Sequence, residues 1–345
     1  MVYTNYKKGR GEQIVMKYKK FKTLNNEELS AVGYGCWPIG GTWNNSNDLK
    51  SIETIRTALD LGVNFFDVAP VYGMGHSEEI LGKAIKGYDR KKIFIATKCG
   101  LVWDENSEEK IVTKSISRES LYKELNASLK RLGTDYIDLY QIHWPFENMQ
   151  LDEALKTFEE MKEKGLIRYV GLSNFSRKNL EYCMSKTDIA TYQGIYNLLD
   201  PNAETYHHKQ LEYRSGKEIL PVCRENGMAF LAYSPLFQGL LTGKFKAENN
   251  FDENDDRFKN PKLKGDIYQF YYKAAEELKE LAVEIGKPLS QLSINWLVNQ
   301  EEVGPVICGA QTPEEIKENV ESLSWELTED IKNKINSILK KYNID

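Results

Sequence analysis

The sequence predicts a (β/α)8 barrel, an α/β fold, and three observations carry that expectation. Short β-rich runs alternate with amphipathic stretches along the whole chain, eight strand-helix units are countable, and no G-x-G-x-x-G fingerprint follows the first run as an open dinucleotide-binding sheet would require. The β-rich runs are 31–35 (AVGYG), 63–66 (VNFF), 93–97 (IFIAT), 137–142 (IDLYQI), 167–172 (IRYVGL), 189–193 (IATYQ), 228–232 (MAFLA) and 303–308 (VGPVIC). Between them apolar residues recur at helical spacing, as in Leu121, Leu125, Leu129 and Leu132, or Leu151, Leu155, Phe158 and Met161. Two connections exceed the usual length of a strand-to-helix loop. One is LVWDENSEEK after the third run and the other spans 237–266, and both are expected over the C-terminal face of the barrel. Two extra helices, over 274–300 with an interruption near Pro288 and over 328–342, exceed the eight simple units and are expected to close one barrel end.

Composition narrows the function classes. The chain has 345 residues, with 46 Lys+Arg against 51 Asp+Glu and a formal net charge of −5, a balance that offers little to a nucleic acid. No apolar run reaches the roughly 18 residues of a membrane span. Five scattered cysteines without a C-x-x-C pair and only four histidines suggest neither a disulfide framework nor a metal site, and the expected compartment is the cytoplasm. Residues 1–15 carry charge but lack the apolar core of a signal peptide, and they are expected to be a disordered or upstream-translated extension of a single barrel domain over 16–345.

In such a barrel, functional groups lie just after the strand C-termini. Those positions hold Asp67 with Tyr72 five residues on, Lys98, His143, Ser173 and Asn174, Gln193, and Tyr233 with Ser234. Taken singly, each has an ordinary structural explanation: Lys98 a snorkelling surface residue, His143 a satisfied core histidine. Their joint placement at successive strand ends argues for a functional set. A Tyr hydroxyl titrates near 10, a neighbouring ammonium favours its phenolate, and a buried ammonium needs a carboxylate to stay charged. Tyr72 tuned downward by Lys98, Lys98 balanced by Asp67, and His143 orienting a carbonyl oxygen would together protonate that oxygen while hydride reaches the carbon. Cys36 and Cys99 read as small packing residues near the mouth.

The segments GVNFFDVAPVYGMGHSEEILG (62–82), IATKCG (95–100), QIHWP (141–145), GLIRYVGLSNF (165–175), AYSPLFQGLLTGK (232–244) and GAQTPEEIKEN (309–319) together resemble the aldo-keto reductase superfamily. The YSPL and GA elements resemble its longer-loop bacterial branch, to which potassium-channel β subunits are also similar. The resemblance implies Tyr72 as general acid, Lys98 and Asp67 as its tuning pair, and His143 as the substrate-orienting group. It further implies that Ser173, Asn174 and Gln193 bond the nicotinamide carboxamide and that Tyr233 stacks on its ring. The pyrophosphate would fall to Ser234, Leu236, Gly239 and Lys244, with Arg257 clasping it from the long loop. Gly309, Gln311, Glu315, Glu318 and Asn319 would frame the adenosine, and Trp37, Trp103 and Trp144 would wall the substrate pocket, Trp103 having an exposed loop tip as its alternative.

The family pattern implies NADPH, but two positions depart from it. A basic residue that commonly follows the GA pair is Gln311 here, and a further basic position corresponds to Glu315. Thr312, Pro313 and Glu315 read as the N-cap, N1 and N3 of a capping box, and carboxylates in a first helical turn oppose a phosphate dianion there. NADH is therefore expected to be accepted, or preferred. The leading function is reduction of an aldehyde or ketone, with a small-molecule carbonyl compound as partner and neither nucleic acid nor membrane. Two alternatives are a Schiff-base aldolase using Lys98 as nucleophile and a nucleotide-holding redox sensor or partner-binding module similar to channel β subunits.

Overall fold

The computed structural model describes residues 2–7, 13–40, 47–104, 107, 109–249, 251–253 and 255–344. In chain order the strands are β1 (Val2–Lys7), β2 (Gln13–Lys19), β3 (Leu29–Ser30), β4 (Val32–Gly35), β5 (Phe65–Asp67), β6 (Phe94–Cys99), β7 (Leu101–Val102), β8 (Thr113–Lys114), β9 (Ile137–Ile142), β10 (Ile167–Ser173), β11 (Ile189–Ile195), β12 (Thr205–Tyr206), β13 (Lys209–Gln210), β14 (Ala229–Tyr233) and β15 (Val306–Gly309). The helices are α1 (Asp48–Asp60), α2 (His76–Ile85), α3 (Arg118–Leu132), α4 (Leu151–Glu163), α5 (Arg177–Met184), α6 (Leu220–Asn226), α7 (Gly265–Glu284), α8 (Leu289–Val298), α9 (Pro313–Glu321) and α10 (Glu329–Lys341). Capping chemistry sets several of their starts, with Asn47, Ser117, Ser176, Thr312 and Thr328 each accepting from a backbone N–H of the first turn.

Eight parallel strands form the sheet in the order β14-β11-β10-β9-β6-β5-β4-β15, one from each β-rich run of the sequence. The last run starts its strand late, at Val306, because residues 302–304 do a different job. Phe230 on β14 donates to Glu302 O (2.8 Å) and accepts from Gly304 N (2.9 Å), with a parallel bridge to Val303, and this closes the barrel. Lys19 on β2 fastens that seam through Nζ bonds of 2.6 Å to both Gln300 O and Val303 O.

The lower half of the barrel is filled by Phe65, Phe94, Leu139, Tyr169, Leu231 and Ile307, and Phe21, Leu24 and Leu29 close it from the N-terminal side. That plug, rather than the two extra helices, closes a barrel end. Helices α7 and α10 instead pack on one another beside the barrel, where Leu278, Leu281, Ile335 and Leu339 join Leu240, Leu241 and Leu263 of the long connection after β14 in a second apolar cluster. In the N-terminal extension, residues 2–7 form β1, paired antiparallel with β2 from Val2↔Tyr18 to Lys7↔Gln13. Residues 1 and 8–12 of that extension lie outside the described residues.

Small residues leave the upper half free for polar side chains. A Cβ on Gly171 of β10 would stand 2.4 Å from Thr191 Oγ1 and 3.0 Å from Gln141 Cγ, whereas one on Gly33 would stand 2.8 Å from Phe65, so that glycine makes room for the apolar layer below. Just beyond β6, the Gly100 N–H donates to Glu124 Oε2 (2.9 Å) while Ser120 Oγ donates to Glu124 Oε1 (3.1 Å), so α3 holds the end of the strand that carries Lys98.

Burial raises the Glu124 carboxyl to about 8, well above the ordinary carboxylate range. Between about pH 4 and that value the unfolded chain has lost the proton that the folded chain keeps, so stability falls as pH rises through this window and levels off above it. We expect the thermal midpoint of Glu124→Gln to vary less across pH 5–8 than that of the parent, measured by circular dichroism melts; parallel curves would exclude Glu124 as the titrating group.

Candidate active site

Four side chains converge where β5, β6 and β9 end. Register places Asp67 opposite Ala96 and Lys98 opposite Gln141, so that the aspartate and lysine project to the same inner layer. Lys98 Nζ lies 2.9 and 2.8 Å from the two carboxylate oxygens of Asp67, 3.0 Å from Val68 O and 3.0 Å from Tyr72 Oη. Lys98 is fully buried, and Asp67 and Tyr72 are 3% and 8% exposed. The Tyr72 ring meets His143 edge-on at 5.8 Å between centroids and Trp37 at 4.8 Å, which fixes the hydroxyl from two sides.

The electrostatics correct one expectation. Tyr72 is not tuned downward: burial pushes its phenol well above 10, and the charge of Asp67 and the neighbouring Cys36 push the same way. Lys98 is lowered by burial, with Asp67 opposing. His143 falls well below its ordinary value through burial, then through the charges of Lys98 and Lys209, so the imidazole is neutral at neutral pH. The set is therefore a protonated phenol, an ion-paired ammonium and a neutral imidazole.

A cavity of about 410 Å³ opens over these groups. Asp67, Tyr72, His143, Trp37 and Trp144 line one part, Ser173, Asn174, Gln193 and Tyr233 the middle, and Ser234, Leu236, Gly239, Lys244, Gly309, Glu315, Glu318 and Asn319 the remainder. Gln193 is also a partner of the ion pair, donating to Asp67 Oδ1 at 2.7 Å. Asn174, at φ 64°, is a hub: its amide donates to His143 O (3.1 Å) and Ser173 Oγ (3.0 Å), and its Oδ1 accepts from Tyr213 and Tyr233 at 2.8 Å each. Left-handed backbone at Ser234, Gln238 and Gly239 turns the chain under this trench.

Four expected residues stand apart from the cavity wall, Lys98 because it lies fully buried beneath it and three others because they face elsewhere. Arg257 makes a two-pronged contact with Asp255 and lies over the Phe251 ring at 4.6 Å. Gln311 donates its backbone N–H to Glu315 Oε2 (2.8 Å), one residue ahead of the N-cap position that a standard capping box would use. Trp103 is part-exposed on the connection after β7 and does not line the cavity. Sequence reasoning missed Tyr206, Gln238, Thr242 and Ser290, all of which do. Tyr206 meets Tyr233 edge-on at 5.5 Å and Trp144 at 5.9 Å. Its two-residue strand offers no periodicity from which to locate it.

The trench fits a dinucleotide. Ser173, Asn174 and Gln193 gather amide and hydroxyl groups beside the Tyr233 ring, Lys244 provides a cation farther on, and Glu318, bonded to Ser290 Oγ, joins Glu315 and Asn319 at the far end. Those carboxylates suit ribose hydroxyls, as acidic residues do in other dinucleotide sites.

Comparison with known proteins agrees. A model of the aldo/keto reductase family matches residues 31–340. The chain is 36% identical to an aldo-keto reductase of Bacillus subtilis, YhdN, over 91% of each protein, and 32% identical to an NADH-specific methylglyoxal reductase of Escherichia coli over 87% of this chain and 92% of that one. It superposes on the glycerol dehydrogenase of Gluconobacter oxydans with a TM-score of 0.83 and 33% identity, covering 95% and 97% of the two chains.

Removing Lys98 alone would strand the Asp67 carboxylate inside the barrel. We expect Lys98→Met to destabilise the fold by about 3–5 kcal/mol in urea titrations, and Lys98→Met with Asp67→Asn to recover part of that loss. No recovery in the double variant would show that the lysine acts through packing rather than charge.

Proposed function

Because the chain belongs to the aldo/keto reductase family and is an oxidoreductase, we propose that it reduces a small aldehyde or ketone to the alcohol with Tyr72 as proton donor. The observation that carries this reading is the Tyr72 hydroxyl held 3.0 Å from a lysine that is itself locked on Asp67, at the floor of a cavity of about 410 Å³ that continues past Gln193 to Lys244 and Asn319. A reduced nicotinamide, when bound, supplies hydride to the carbonyl carbon. Tyr72 gives its proton to the carbonyl oxygen as charge develops there, and the neighbouring ammonium of Lys98 stabilises the phenolate left behind. That phenol stays protonated through the neutral range, since its proton is held well above pH 10 until a reacting oxygen calls for it. Neutral His143 orients the same oxygen. Trp37, Tyr206 and Trp144 exclude water from the reacting carbon.

For the nicotinamide end, Ser173, Asn174 and Gln193 bond the carboxamide and Tyr233 supports the ring. Ser234, Leu236, Gly239 and Lys244 hold the pyrophosphate. The far end favours NADH, because Glu315 and Glu318 repel a 2′-phosphate and accept from free ribose hydroxyls. A Schiff-base role for Lys98 finds no support in this geometry, since its Nζ donates to Asp67, Val68 and Tyr72 and presents no free lone pair. The five cysteines are buried free thiols, which suits the reducing cytoplasm.

Tyr72→Phe should lower kcat roughly 10²–10⁴-fold, the worth of a positioned acid, with nucleotide affinity nearly unchanged. Full turnover in that variant would remove Tyr72 from its role. Fluorescence titration should give a lower Kd for NADH than for NADPH, and Gln311→Arg with Glu315→Ala should narrow the gap through a charge-assisted phosphate contact. A parent that binds NADPH more tightly would overturn the cofactor preference and leave the reductase reading intact.

A further inference from the structure

Two ammonium groups gather on the Trp144–Pro145 segment, whose Trp144 lines the substrate end of the cavity. Lys209 comes from β13 and Lys114 from β8, two hairpins nearly a hundred residues apart in sequence. Lys209 Nζ stands 3.4 Å from the centroid of the Trp144 ring, and Lys114 Nζ donates to the carbonyl of the next residue, Pro145, at 3.1 Å. Trp144 follows His143 directly and lines the cavity. Tyr206, paired across the hairpin with Lys209, lines it too and packs on Trp144. Both cations thus converge on the segment that carries the substrate-orienting histidine.

Gathering like charges on one patch is unfavourable unless an anion joins them. Among the described residues, the contacts of the two lysines are with the Trp144 ring, the Pro145 carbonyl and each other. The groups acting on Lys209 are Lys114 from the neighbouring hairpin, Glu212 farther along its own segment, and His143 beneath it. Withdrawal of the Lys209 ammonium from water, followed by the charge and contact of Lys114, lowers it to about 7. Its side chain keeps an open face to solvent, from which a ligand can reach it. The opposite end of the cavity carries Glu315 and Glu318, so the two ends differ in sign.

We propose that Lys114 and Lys209 form an anion subsite of the substrate pocket, so that the preferred substrate is a short-chain aldehyde or ketone bearing a carboxylate or phosphate. The subsite rests on the reductase reading of the cavity. The anion accepts from both ammonium groups, while the carbonyl reaches past Trp144 to His143 and Tyr72. Binding relieves the repulsion between the lysines and returns the proton affinity of Lys209 toward that of an ordinary amine.

The test compares substrates matched in length: 4-oxobutanoate against butanal, and glyceraldehyde 3-phosphate against glyceraldehyde. The parent should favour the charged member of at least one pair in kcat/KM, and the pair that does so identifies carboxylate or phosphate as the ligand. Lys209→Met and Lys114→Met should each cut kcat/KM for that anion about tenfold to a hundredfold, the worth of one charge-assisted hydrogen bond, and change the neutral partner by no more than about twofold. As pH rises through about 7 the parent's preference should decline with the Lys209 charge, whereas in Lys209→Arg it should persist. Equal efficiency with charged and neutral partners, or a preference unmoved in both Met variants, would overturn the subsite and leave the reductase standing. Failure of all four compounds to oxidise NADH or NADPH would overturn both.

Discussion

Burying Lys98 beside Asp67 is the constraint on which the rest of the structure depends. Neither charge could sit inside a barrel alone, because desolvation of a single ion exceeds what the surrounding dipoles return. Each is satisfied by several partners: both Asp67 oxygens face Nζ, Val68 O and Tyr72 Oη take the remaining ammonium protons, and Gln193 reaches across from β11 to donate to Asp67. Those contacts require three strands in a fixed register, since a one-residue slip of β6 would turn Lys98 out of the barrel. They also require space, which the glycine at 171 leaves on the inner face. The apolar plug of Phe21, Leu24 and Leu29 below, and the seam fastened by Lys19, keep that register closed.

The same burial decides the protonation states above the pair. Desolvation penalises any charge at the cavity floor, so Tyr72 keeps its proton and His143 does without a second one. A phenol that is hard to ionise in the resting protein is a donor whose phenolate becomes accessible as the proton transfers to a reacting oxygen, with the Lys98 charge already in place. In the proposed reaction this matters more than a lowered resting pKa would. A downward shift is the intuitive reading of a lysine beside a tyrosine, and it fails because burial penalises the phenolate and the charge of Asp67 adds to that penalty.

Legibility in the sequence followed periodicity. Each β-rich run corresponds to a barrel strand, and the rule that functional groups follow strand ends located Asp67, Lys98, His143, Ser173 and Asn174, whose side chains the structure gathers in one place. Residues whose positions depend on irregular backbone were not readable that way. Tyr206 and Lys209 sit on two-residue strands, and Gln238 sits in a left-handed turn, where neither the period of a strand nor that of a helix applies. Arg257 was readable as a cation on a long loop, but not as the partner of Asp255 two residues earlier. The terminal helices were recognisable as helices; their packing partner, a loop rich in leucine after β14, was hidden by the polar composition of the rest of that connection.

The distribution of charge along the cavity ties these parts together. Its floor holds a balanced pair whose net charge is zero, so the field felt by a substrate comes mainly from the two ends. At one end Glu315 is fixed by the Gln311 backbone and Glu318 by Ser290, which keeps both carboxylates in place without neutralising them. At the other, Lys209 rests on the face of Trp144, an attraction that positions an ammonium while leaving its protons available. A nucleotide with free ribose hydroxyls and an anionic carbonyl compound would each meet complementary groups at opposite ends, and each would be repelled if it entered the wrong way round. On the proposed reading, the polarity of the trench would order the two ligands before either reached Tyr72, using side chains that take no part in proton transfer.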